Sequence, residues 1–144
     1  MDGPSGHQAS MIPVEPAVVT IRIPADATYL PLLRSACGQL APRLGCTLAE
    51  VADLRLAVDE ACGLLLCNSV RLARGSEQND LTATFHVEGP VLRVTVAVEA
   101  DAFALPDGDE FGWTILNALA DGCALHVEGT TVRVEILKKH AEGR

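Results

Sequence analysis

Apolar positions along this chain switch between two periods, and the switches divide it into elements. Val18-Val19-Thr20-Ile21-Arg22-Ile23 is β-branched and predicts a strand, stopped by Pro24. Leu30, Leu33, Cys37 and Leu40 then recur at helical spacing. They predict a first helix, capped by Asp26 or Thr28, that runs to about Leu44, with Pro42 disturbing its last turn and Gly45 ending it. Thr47-Leu48-Ala49-Glu50 has the S/T-x-x-E form of a capping box. Behind it Leu54, Val58, Ala61 and Leu65 write one apolar stripe, so a long helix is expected from about Leu48 to Leu72. Arg55, Asp59 and Glu60 lie beside that stripe. Gly63 inside the helix costs about 1 kcal/mol against alanine, which predicts close packing of another element there.

The second half changes to a period of two. A polar loop over Arg74–Asp80 precedes strands Leu81–Val87 and Val91–Val98, joined through Glu88-Gly89-Pro90. In the second strand Leu92, Val94, Val96 and Val98 alternate with Val91, Arg93 and Thr95, so one face is buried. A short loop, Ala104–Asp109, leads into a last helix over about Glu110–Ala120. Strands Ala124–Glu128 and Thr131–Leu137 form a closing hairpin over Gly129-Thr130. This order predicts an α+β two-layer sandwich, a mixed β-sheet covered on one face by about three helices. Residues 1–16 lack periodicity and read as a disordered tail, 17–138 as the domain, and 139–144 as a frayed tail.

At 144 residues the chain is one domain by length, able to bury roughly 70% of its unfolded surface. Aromatics are only 3% of the residues, which excludes a base-stacking platform for single strands. The net charge of −8 argues against binding phosphate backbones directly. It suits either plain solubility or attraction to a basic, nucleic-acid-binding protein. No apolar run reaches the ~20 residues that span a bilayer, and Met1–Gly6 lacks the form of a secretory signal, so a cytoplasmic location is expected. Cys37, Cys46, Cys62, Cys67 and Cys123 show no zinc spacing and read as reduced, mostly buried thiols. No metal ligand set is predicted, and His86 and His126 read as structural.

The string Leu54-Arg55-Leu56-Ala57-Val58-Asp59-Glu60-Ala61 resembles the nucleotide-motif helix of bacterial anti-sigma factors, the serine/threonine switch kinases built on the GHKL (histidine-kinase-like ATPase) fold. Phe111-Gly112-Trp113-Thr114-Ile115-Leu116-Asn117-Ala118-Leu119-Ala120 resembles the closing string of a branch of these from high-GC Gram-positive bacteria. The likeness covers roughly Val18 to Lys138. In the family the helix continues Glu-Ala-x-x-Asn, where the Asn binds magnesium; here Leu64 stands at that position. Asn68 comes one helical turn later, about 6 Å along the axis, a poor replacement. The family's Asp-x-Gly-x-Gly adenine loop corresponds to Glu99-Ala100-Asp101-Ala102-Phe103, with alanines for glycines. Its Gly-x-Gly-Leu phosphate loop corresponds to Asp109-Glu110-Phe111-Gly112, with one glycine and two acids.

The resemblance implies the GHKL fold, with Glu60 as general base and Asp59, Glu99, Asp101 and Gly112 around ATP and magnesium. The bland reading of Glu60 is a boundary carboxylate that pairs with Arg55. Trp113 either fills the core or, with Phe111, closes over a vacated nucleotide pocket, leaving a small cavity. The resemblance also places a partner surface on the first helix, at Tyr29 and on an outer face carrying Arg34 and Arg43. The implied function is an anti-sigma factor that sequesters an alternative sigma factor until an anti-anti-sigma antagonist competes. ATP use is weak or lost because three nucleotide elements depart together. An active serine/threonine kinase and a GHKL-like homodimerisation scaffold without nucleotide are the alternatives.

Overall fold

The computed structural model describes residues 18–70, 80–104 and 110–139, and at 70, 110 and 111 the backbone alone. The chain runs β1 (Val18–Pro24), a 3-10 turn (Ala27–Tyr29), α1 (Leu30–Arg43), α2 (Leu48–Asn68), β2 (Ser69–Val70), β3 (Asp80–Glu88), β4 (Val91–Glu99), β5 (Ala102–Phe103), α3 (Glu110–Leu119), β6 (Gly122–Glu128) and β7 (Thr131–Lys139). The predicted tail 1–16, most of the loops over 74–80 and 104–109, and everything beyond Lys139 lie outside the described residues.

Local chemistry sets the ends of these elements. Asp26 caps the 3-10 turn rather than α1, its carboxylate accepting from Thr28 N–H at 2.8 Å. Thr47 and Glu50 form the expected capping box, Thr47 N–H donating to Glu50 at 2.7 Å and Glu50 N–H to Thr47 Oγ1 at 3.2 Å. Gly45 follows α1 with φ +99°, a conformation that side-chain-bearing residues rarely adopt. Helix α2 stops at Asn68, short of the expected Leu72, because Ser69 turns extended and pairs with Phe103.

Five strands form one sheet in the order β1-β3-β4-β7-β6, with β2 and β5 as a separate pair. Every described pairing is antiparallel, so the expected mixed sheet is corrected. Two hairpins, β3–β4 and β6–β7, supply the four inner and edge strands, and β7 meets β4 head to tail as the chain returns from its hairpin with β6. Parallel pairing would need a crossover delivering β7 in the direction of β4.

The alternation seen in the sequence is the sheet's inner face. Leu81, Ala83 and Phe85 of β3, Leu92, Val94 and Val96 of β4, and Val132, Val134 and Ile136 of β7 are buried. Leu54, Val58, Ala61 and Leu65 of α2 complete that core, and each such large side chain contributes about 1.5–3 kcal/mol on burial. On the outer face, Arg93 holds Glu88 at 2.8 Å and also Glu135. Its guanidinium keeps the Glu88 carboxyl below the usual range. Helix α2 lies between α1 and α3 and carries the residues on which the functional reading turns.

Candidate functional site

The capping box fixes where α2 starts, and the helical repeat then decides what each residue faces. Glu60 and Leu64, four apart, lie one above the other on the side of α2 that meets α3. Opposite them is Gly112, buried in the first turn of α3. A Cβ at Gly112 would lie 3.2 Å from Glu60 Oε2 and 3.7 Å from Leu64 Cδ2, so only a hydrogen allows this approach without displacing the carboxylate. Leu64 is 6% exposed and offers no oxygen. Glu60 is half-buried and makes no hydrogen bond or ion pair among the described residues. The structure therefore brings Glu60 and Gly112 together.

Other candidates are engaged elsewhere. Asp59 accepts from Arg34 Nη2 at 3.1 Å and Nε at 3.3 Å, across the seam between α2 and α1. Arg55 lies along Gly38 of α1, its Cδ 3.5 Å from that residue's Cβ position, and does not pair with Glu60. Glu99 accepts from the hydroxyls of Thr130 and Thr131, both at 2.6 Å, which fastens it to the β6–β7 turn. Asp101 is exposed between β4 and β5. Asn68 donates from Nδ2 to Leu64 O at 2.9 Å, turned back on its own helix. Among the described residues nothing lies within 4 Å of a Cβ built at Gly63, so none of them supplies the packing expected there. Among the described residues no group of three or more His, Cys, Asp or Glu could hold a metal.

Trp113 is half-buried and packs against the core, and the Phe111 side chain lies outside the described residues. Lys138, the last residue of the expected domain, anchors the other end of α3. Its Nζ donates to Leu119 O at 2.8 Å and pairs with Asp53 at 3.2 Å. A cation at a helix C-terminus is favoured by the helix dipole. Asp121 adds a second tie, accepting from Lys139 N–H at 2.6 Å. Cys37, Cys46 and Cys62 are buried as expected, while Cys67 is exposed. Burial pushes the Cys37 and Cys62 thiols up to about 12, which makes them poor nucleophiles.

The partner-surface candidates split across α1. Arg34 and Arg43 are nine residues apart, half a turn round a helix, so they cannot share an outer face. Arg34 turns to α2, whereas Arg43 lines an open groove of about 470 Å³ between α1 and β1. Val19, Ile21, Leu32, Ala36 and Leu40 supply its apolar walls. Leu32, which sequence reasoning missed, is 61% exposed, and Tyr29 is exposed at the start of the helix. The signal for Leu32 was present in the sequence: it stands a turn ahead of Ala36 and three before Ser35, off the buried Leu33–Cys37–Ala41 line.

Comparison with known proteins agrees with this architecture. Serine-protein kinase RsbW of Bacillus subtilis (strain 168) is 34% identical over 86 residues, 59% of this chain and 51% of that protein. The protein of the same name from Listeria innocua is 32% identical over 88 residues, 60% of this chain and 54% of its own. The one from Bacillus cereus is 27% identical over 134 residues, 79% and 81% of the two chains. The match thus spans about half the length of the first two relatives. The crystal structure of the RsbU and RsbW domains of Rv1364c from Mycobacterium tuberculosis shares the fold. Its TM-score is 0.67 over 88% of this chain and 33% of that one, at 12% identity. The family described as the histidine kinase-like ATPase domain matches residues 23–136, most of the chain. This protein therefore belongs to the histidine kinase-like ATPase domain family.

Proposed function

We propose that this protein is a cytoplasmic anti-sigma factor that sequesters an alternative RNA polymerase sigma factor by direct binding. An anti-anti-sigma antagonist releases the sigma factor by competing for the chain, so occupancy follows mass action. The functional unit is the segment 17–138, and its binding surface is the side of α1 carrying Tyr29 and Arg43. The acidic charge of −8 favours a basic, DNA-binding partner over DNA itself. Among the described residues, no helix is long and apolar enough to cross a membrane.

One observation carries the claim that ATP use is weak or lost: Leu64, buried and without an oxygen, faces Gly112 beside Glu60. Magnesium takes near-octahedral oxygen ligands, and Leu64 stands where the family's ligand belongs. Without a magnesium ion to bridge them, a polyphosphate at the first turn of α3 would meet the Glu60 carboxylate beside Gly112 and be repelled. These residues do not fit a magnesium nucleotide. What α2 and α3 do instead is pack, with Lys138 and Asp121 fixing the far end of α3.

The test is retention of host proteins on the tagged full chain, with and without magnesium-ATP, read by mass spectrometry. An alternative sigma factor held equally in both conditions is the expected result. No sigma factor in either condition would overturn the proposal. Phosphate transfer from ATP to the antagonist, abolished by Glu60→Ala, would replace it with the kinase reading that the relatives' names suggest.

A further inference from the structure

Strand β1 is an edge of the sheet, hydrogen-bonded only to β3 among the described residues. Alternate N–H and C=O groups of such a strand point away from the sheet and template another strand. The neighbouring groove continues the inner layer beyond that edge. Val19 and Ile21, opposite the buried Phe85 and Ala83, form its floor on the strand side. Leu32, Ala36 and Leu40 of α1 form the other wall, and Arg43 also lines the groove. Arg43 donates to Gln39 O of its own helix at 2.7 Å and has no carboxylate partner among the described residues.

Resting on the reading of α1 as the partner surface, we infer that the partner enters as a strand: an extended segment adds to the free edge of β1, seats alternate apolar side chains in the groove over α1, and places a carboxylate on Arg43. A strand added there would have its inward side chains two residues apart, in line with Val19 and Ile21. Main-chain bonds would give affinity, and the groove with its guanidinium would give specificity. A second copy of β1 fits less well, because its only charged residue is Arg22 and it brings no acid to Arg43. Residues 1–17 carry Pro13 and Pro16, which cannot donate to a ladder.

The probe is an acetylated, amidated eight-residue peptide that alternates valine with threonine and ends in aspartate, titrated into the isotope-labelled full chain. Amide shifts should be confined to β1 and the groove side of α1, with slowed hydrogen exchange along β1. N-methylation of alternate peptide amides should weaken binding at least tenfold. Replacing the aspartate by lysine should weaken it about fivefold, and Arg43→Glu should reverse that preference. Leu32→Glu, at an exposed position, should abolish the shifts and leave the unfolding midpoint unchanged. No shifts at millimolar peptide, shifts centred elsewhere, or indifference to N-methylation would overturn strand addition. So would β1 amides already protected without peptide, in a dimer (a second copy) or in a monomer (the chain's own segment). Peptide binding without any sigma factor would keep strand addition and sink the anti-sigma reading. A sigma factor held undiminished by Leu32→Glu would do the reverse.

Discussion

Leu64 and Leu32 are the same residue type on neighbouring helices, yet one is 6% exposed and the other 61%. Around Leu64, a glycine on α3 lets helix approach helix until a carboxylate and a leucine side chain fill the seam. Around Leu32, α1 overhangs the last strand of the sheet, and nothing described stands beyond it. The family's fold is kept in both places, with the seam between α2 and α3 closely packed and the side between α1 and β1 open. A fold with one sheet and three helices has room for both kinds of surface. Which one is open depends on single side chains such as Leu64 and Gly112.

Exchanging polarity at the two leucines is the strongest way to break this comparison. Leu64→Asn places the family's residue type at its place on α2, and should cost about 3 kcal/mol in denaturant unfolding, from lost packing and a buried amide. Magnesium-ATP should not restore it, because Gly112 and Glu60 still close the seam. A rise in the variant's unfolding midpoint with magnesium-ATP would show the site to be dormant and not filled. Leu32→Asn should stay within about 0.5 kcal/mol of the parent, as exposed positions do.

The thiols between α1 and α2 test whether the packed side of the molecule is dry. Cys37 and Cys62 are fully buried, and burial raises each from the ordinary 9.0 to about 12. Above pH 9 the unfolded chain releases these protons and the folded chain does not. Stability is therefore complete below pH 9 and falls as pH rises toward 12. By pH 10 each thiol should remove about 1.4 kcal/mol. Urea unfolding between pH 8 and 10 measures the slope, and Cys62→Ala should remove roughly half of it. An unchanged slope would mean that water reaches the seam between α1 and α2.

The two glycines that face outward and inward sharpen the contrast at smaller scale. Gly63→Ala meets nothing within 4 Å among the described residues and should stabilise the chain by about 1 kcal/mol through helix propensity. Gly112→Ala should gain less, because Glu60 must withdraw by a few tenths of an ångström. Equal gains would place the Glu60 carboxylate away from α3.

Much of this was legible in the sequence, and the limits have physical causes. Period and caps gave α1, both hairpins and the start of α2, since capping boxes and alternation are local signals. The end of α2 was not legible, because Ser69 leaves the helix to pair with Phe103, a contact thirty-four residues away. The antiparallel sheet depends on how hairpins dock, which no local pattern encodes. The role of Lys138 was legible and missed: it continues the inward alternation Val132, Val134, Ile136, which carries its charge to the end of α3. The motif positions named Glu60 and Gly112, which the structure places side by side, but could not tell that Glu99 would be held by Thr130 and Thr131. The resemblance put Arg34 and Arg43 on one outer face of α1, whereas the helical repeat sets them half a turn apart.

That last distinction supplies the smallest effect and the cleanest separation. Arg34 and Asp59 are each about 40% exposed, 40% and 39%, so solvent screens their pairing. A double-mutant cycle with Arg34→Ala and Asp59→Ala should yield about 0.5 kcal/mol of coupling, shrinking with added salt. Because Arg34 is spent on α2 and Arg43 faces the groove, Arg34→Ala should leave affinity for the aspartate-ended peptide unchanged while Arg43→Ala weakens it severalfold. Equal losses from the two would mean that α1 turns when it binds, breaking the Arg34–Asp59 bridge, and that partner and seam are linked through the helix rather than merely adjacent to it.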